Sequence, residues 1–113
     1  MPAIVVNYAM DRQAGGKFVV LSPVGDGAGL VLFSNFFIHT QHAYIVRHWE
    51  QAVQSSVGEA GFRVSGGGWW KIIANNCLKL HGSSAAYGSF DHDWITKNLR
   101  PGRVFGEESI LVE

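Results

Sequence analysis

A chain of 113 residues, 47% hydrophobic and 16% charged, with nine basic and nine acidic side chains and no formal net charge, has the make-up of one ordered domain. It carries no global field to draw it onto nucleic acid or anionic lipid, and its lone cysteine, Cys77, leaves neither a disulfide framework nor a thiolate zinc cluster and fits a reducing cytoplasm. No stretch reaches the ~18 apolar residues of a membrane span, and the apolar run at the N-terminus has no basic region ahead of it, so neither membrane contact nor an address signal is expected.

Residues 3–9 read as a strand, 11–16 as a turn, and 17–24 as a second strand rich in β-branched residues, the pair forming a hairpin. Gly25-Asp26-Gly27-Ala28-Gly29 interrupts the chain, and residues 30–34 form a third strand. From residue 41 to about 57, Ile45, Val46, Trp49, Ala52, Val53 and Val57 recur at three- and four-residue spacing, which predicts a helix with one buried face, capped by Thr40 or Asn35 and stopped at Gly58 or Gly61. Residues 61–65 form a short strand. Residues 69–73 and 77–81 flank Ala74-Asn75-Asn76 as a hairpin. Residues 89–99 predict a shorter helix ended by Pro101-Gly102, and residues 103–112 close the sheet. No repeat, linker or low-complexity tract divides the chain, so residues 1–113 form a single domain.

Two segments point to anion chemistry. Residues 81–89, His81-Gly82-Ser83-Ser84-Ala85-Ala86-Tyr87-Gly88-Ser89, are small and turn-forming, and such a turn aims several backbone N–H groups at one point. Thr40-Gln41-His42-Ala43 opens the amphipathic helix and sets an imidazole at its positive end, where the charged form is disfavoured and a neutral ring serves as a base. The plainer reading of His42 is a capping histidine. His39 and His42 also stand in an i, i+3 relation that could chelate zinc with Asp91, His92 or Asp93, but neither cluster has an established metal spacing, and no metal or cofactor is expected.

Lys17 follows Gly15-Gly16 at a strand start, where it is either a solvated end or a point charge in a phosphate pocket. A Walker A loop is excluded because no Ser or Thr follows the lysine. Gly66-Gly67-Gly68 lacks the dinucleotide pattern and suits a bulge or a close backbone approach. Trp69 and Trp70 invite stacking on single-stranded nucleic acid, but neighbouring strand residues face opposite ways, one belongs to the core, and the neutral chain argues against such a partner.

Three motifs in one order resemble the protein histidine phosphatase family, also called Janus/Ocnus: Gly16-Lys17-Phe18-Val19-Val20-Leu21, His42-Ala43-x-Ile45, and Gly66-Gly67-Gly68 followed by Gly82-x-Ser84-x-Ala86-Tyr87-Gly88. The match runs from Val5 to about Leu99. The resemblance implies a compact α+β domain, a mixed sheet of roughly six strands with a helix packed on each face, and metal-independent hydrolysis of phosphohistidine, on a protein or a small phosphoramidate. It further implies His42 as the general base or nucleophile, Lys17 as the phosphate-contacting lysine, and a cradle made by the N–H groups of His42 and Ala43 with Ser84 and Ala86. A monomer is expected. Two positions depart from the pattern: Ser34 and Trp69 stand where the family's animal members carry arginines, and Arg47, Arg63 and Lys71 are the candidates to replace them. Those departures motivate the alternative, a non-catalytic phosphate-binding module built on the same fold.

Overall fold

The computed structural model describes residues 2–8, 11, 13, 15–35 and 38–113. In chain order the elements are β1 (Ile4–Tyr8), β2 (Gly16–Pro23), β3 (Leu30–Asn35), α1 (His42–Val53), β4 (Phe62–Ile73), β5 (Cys77–His81), the short β6 (Ser83–Ser84) and β7 (Gly88–Ser89), α2 (His92–Asn98) and β8 (Ser109–Val112). The strands form one mixed sheet in the order β1-β3-β2-β4-β5-β8, with β7 joining β4 and β6 to one side. This is an α+β architecture, as expected. No helix among the described residues is long and apolar enough to cross a membrane.

The expected hairpin of β1 with β2 does not form. β1 instead runs parallel to β3, from Ile4 opposite Leu30 to Tyr8 opposite Ser34, while β2 lies antiparallel between β3 and β4. Burial gives the reason. Phe18, Val19, Val20 and Leu21 are all buried, a continuous apolar run suited to a strand covered on both faces, whereas Ile4 is half exposed and suits an edge. Alternate β2 residues enter two apolar clusters: Val19 and Leu21 join Ile45, Val46 and Trp49 of α1, and Phe18 and Val20 join Trp70, Leu80 and Ile95 of α2. Of the remaining β1–β2 expectations, Ala9 and the turn residues Arg12 and Ala14 lie outside the described residues.

α1 is shorter than its apolar spacing suggested. It ends at Val53, with Gln54 in the left-handed region (φ 58°) donating its N–H to the Glu50 carbonyl, so neither Gly58 nor Gly61 stops it. Ala52 and Val53 are exposed, and Val57 reaches the core from the following loop, where its N–H donates to Glu50 Oε2 at 2.8 Å. At the other end Gln41 is the N-cap and makes no side-chain cap. Asn35 instead accepts the Ile38 N–H at 3.0 Å.

The strands expected at 61–65 and 69–73 merge into the 12-residue β4, because the triple glycine continues the ladder to β2 with a register shift opposite Val20 and Leu21. The β4–β5 hairpin forms as expected, closing through Asn75 and Asn76 at φ 63° and 54°, a region asparagine tolerates. α2 starts at His92 rather than residue 89, since the Asp91 carboxylate caps it by accepting the Trp94 N–H at 3.0 Å and Ser89 is spent on β7.

Residues 103–108 do not extend the final strand. Glu108, 2% exposed, turns its carboxylate into the preceding loop and accepts N–H groups from Gly102, Val104, Phe105 (2.6 Å) and Gly106 (3.0 Å). Burial pushes this carboxyl up, but the N–H donors outweigh it and hold the group below its ordinary 4.5.

Candidate functional site

His42 is the first residue of α1, and its ring turns inward onto β4, leaving it 6% exposed. Its Nε2 lies 2.8 Å from the Gly68 carbonyl oxygen, which has no proton to give, so Nε2 carries the ring hydrogen and donates it. A Cβ on Gly67 would stand 2.9 Å from His42 Cδ2. The Cδ2–Nε2 edge therefore rests on the glycine backbone, and the opposite edge keeps Nδ1 as the ring's bare acceptor. Burial lowers the His42 pKa; the bond to Gly68 opposes this in part, and the Lys17 ammonium lowers it again. The net movement is down from 6.5, which makes the ring neutral at pH 7.

Lys17 on β2 pairs with Trp69 of β4 and Ser34 of β3. Its Nζ lies 4.7 Å from the centroid of the Trp69 indole and donates to the Thr40 carbonyl, which fixes the charge beside the start of α1. In that first turn the Tyr44 N–H goes to the Gln41 carbonyl at 3.1 Å and no side chain caps the helix, so the amides of His42 and Ala43 are the ones offered to an external acceptor.

The 83–89 segment arrives from the other side. β7 pairs with β4 at Gly67 and Ser89, and β6 pairs with β7 as Ser83 with Ser89 and Ser84 with Gly88, which folds the intervening turn toward the helix start. Between the two lies a cavity of about 140 Å3 lined by Lys17, Gln41, His42, Ala43, Ala85 and Ala86. It is well below the ~300–1,000 Å3 of pockets that take drug-sized ligands and suits a compact anion. The structure thus brings Lys17, His42, Ala43 and Ala86 to one point. Ser84 sits behind them, 3% exposed, its Oγ accepting the N–H groups of Ala86 at 3.2 Å and Tyr87 at 3.1 Å. Its hydroxyl shapes the turn, and an anion at Ala86 would share that amide with it.

Gln41 and Ala85 of the lining fall within the two segments that the sequence singles out, though not as individual site residues, whereas the carbonyls of Gly68 and Thr40 that hold His42 and Lys17 were not foreseen. The triple glycine was the one available signal, since it announces a close approach. Backbone acceptors leave no mark in side-chain identity.

The other candidates are held elsewhere. His39 is buried with Nδ1 2.5 Å from Ser34 Oγ and Nε2 3.0 Å from His48 Nδ1, and Tyr8 stacks on His48 with centroids 4.2 Å apart. Both nitrogens of His39 are thereby engaged away from His42. Asp91 caps α2, and His92 stacks on Phe90. Among the described residues no group of three or more His, Cys, Asp or Glu side chains is placed to hold a metal ion. Arg47 lies over the Tyr44 ring, Arg63 lines a separate cavity with Ser65 and Asp91, and Lys71 is exposed on β4 and does not line the cavity, so none of the three borders this site. Of the tryptophans, Trp70 is in the core, donating to the Ser34 carbonyl at 2.8 Å, and Trp69 borders Lys17 and His42. No protein-family model matches this chain, and no curated protein matches it.

Proposed function

We propose that the chain is a metal-independent phosphatase acting on phosphohistidine, presented by a protein or as a small phosphoramidate, in the cytoplasm. The observation that carries this reading is the buried His42 whose Nε2 is tied to Gly68, with Lys17 and the first amides of α1 around the same 140 Å3 cavity. Phosphoryl transfer needs its spreading oxygen charge held by oriented donors and its nucleophile placed in line. The Lys17 ammonium and the amides of His42 and Ala43 serve the first need. His42 Nδ1 serves the second by taking a proton from water as the oxygen attacks phosphorus; the P–N bond breaks, the departing imidazole nitrogen takes a proton from solvent and His42 gives its own back to solvent, leaving histidine and inorganic phosphate. Attack by Nδ1 itself, giving a phosphoenzyme that water then hydrolyses, uses the same atoms.

The test is hydrolysis of phosphohistidine and of a small phosphoramidate, with and without chelator, by the unaltered chain and by His42→Ala and Lys17→Ala variants shown to be folded by circular dichroism. Loss of the base should lower turnover by at least ~10²-fold while phosphate binding survives, whereas loss of the lysine should weaken both. Acid-labile phosphate retained on the unaltered chain after rapid quenching identifies the phosphoenzyme route. Near-normal turnover by His42→Ala rejects the mechanism. Phosphate binding without any turnover turns the reading to a binding module, which the burial of Ser34 and the engagement of Lys17 by Thr40 would then explain.

A further inference from the structure

α1 packs on β2 and β3 and leaves uncovered the far half of the sheet face on which His42 lies. Strand register places Trp69 and Lys71 of β4 and Lys79 and His81 of β5 on that open half, because Trp69 pairs with His81 and Lys71 with Lys79, and residues two apart share a face. Trp69 pairs in turn with Lys17, so this surface is continuous with the cavity. Lys71 is exposed, and two lysines directly opposite each other repel. Glu113 offsets part of that charge through a 2.8 Å ion pair with Lys79, its side chain 54% exposed. The surplus is positive on a chain that is neutral overall.

We infer that this open face, Trp69, Lys71, Lys79 and His81, docks an acidic protein segment flanking the phosphorylated residue that enters the cavity. The inference rests on the phosphatase reading for the cavity and extends it to the substrate's surroundings. Charge complementarity selects the partner: the opposed lysines are relieved by carboxylates, and the half-buried Trp69 indole adds some apolar area. A nucleic acid is the poorer fit, since Trp70 faces the core and Phe62, which β4 puts on the same side of the sheet as Trp69, is covered by Trp49 of α1.

The experiment measures anisotropy of two labelled, unphosphorylated peptides of equal length, one rich in Asp and Glu and one with Asn and Gln in their place, against the full chain. The acidic peptide should bind about three- to tenfold more tightly at low salt and lose that advantage near 1 M salt, a result that needs no substitution. In the Lys71→Glu/Lys79→Glu variant the preference should vanish while hydrolysis of a small phosphoramidate stays within about twofold. Equal binding of both peptides, an acidic preference that survives the double variant, or tighter binding of an oligothymidylate than of the acidic peptide overturns the inference. A chain that prefers the acidic peptide but hydrolyses no phosphoramidate keeps the docking face and loses the phosphatase reading; one that hydrolyses phosphoramidate without peptide preference does the reverse.

Discussion

His42 donates its Nε2–H to the Gly68 carbonyl at 2.8 Å, and this one bond joins the start of α1 to the triple glycine of β4. The neighbouring Gly67 makes the approach possible. A Cβ there would lie 2.7 Å from the Phe18 carbonyl oxygen, 2.9 Å from His42 Cδ2 and 3.3 Å from Ser84 Cβ, so β2, the histidine and the 83–89 turn all close on the same point.

Gly67→Ala should therefore injure stability and site together. The backbone contact to Phe18 cannot yield cheaply, and overpacking of this kind costs about 1–3 kcal/mol. Calorimetry should record a lower Tm, and phosphate affinity by titration calorimetry should fall as His42 is displaced. An unchanged Tm with full phosphate affinity would show that the ring does not depend on this glycine.

The lowered pKa of His42 sets the direction of its pH response. Because the folded group titrates below 6.5, the base form persists through pH 6.5, and the acid limb of kcat/KM should have its midpoint below that value. His39, lowered by burial and by His48, and His81, lowered by burial and by Lys71 and Lys79, shift the same way. Their contribution to stability is complete above the unfolded value of 6.5 and is lost as pH falls through the folded values. Urea midpoints measured from pH 7 to pH 5 should accordingly decline. A rate profile with its acid limb at or above pH 6.5 would assign the titration to another group.

Glu108→Gln exchanges an acceptor-only carboxylate for an amide whose NH2 must face some of the same backbone donors. The loss should be about 2–4 kcal/mol at pH 7, read from urea unfolding. The depressed carboxyl stabilises fully above its unfolded pKa of 4.5 and stops doing so as pH falls through its folded value, so the gap between the two proteins should narrow below pH 4.5. A gap that stays constant to pH 2 would mean that shape, not charge, holds the loop.

Asp91→Ala removes the cap of α2 and should cost about 0.5–2 kcal/mol. Ile95 of that helix sits in the core, so the loss should appear in the global unfolding transition. α2 does not border the cavity, and phosphate affinity should be unchanged. A drop in affinity would tie this helix to the site.

Features that depend on local chemistry were legible in the order of residues alone. The spacing of Ile45, Val46 and Trp49 requires a helix beginning near residue 41, and Asn75-Asn76 between two apolar runs requires a hairpin. The adjacency of Trp69 and Trp70 requires that one face the core and the other not. The small residues of the 83–89 segment and the lysine and histidine at element starts were legible as groups that could offer donors, and the fold brings Lys17, His42 and Ala86 to one cavity: backbone amides at turns and helix ends are donors whatever surrounds them.

Which elements meet follows from long-range packing. β1 and β2 look equally suited to a hairpin, and only the two-sided burial of residues 18–21 gives β2 the interior and sends β1 to the far edge of β3. The same contest ends α1 at Val53, draws Val57 into the core from a loop, and carries β4 straight through three glycines. Ser84 was legible as a small turn residue, but not that its hydroxyl would be turned inward onto the amides of Ala86 and Tyr87. Strand partners, close approaches and backbone acceptors are chosen by contacts between residues distant in the chain, and a residue's own type and spacing say nothing about which distant backbone will arrive beside it.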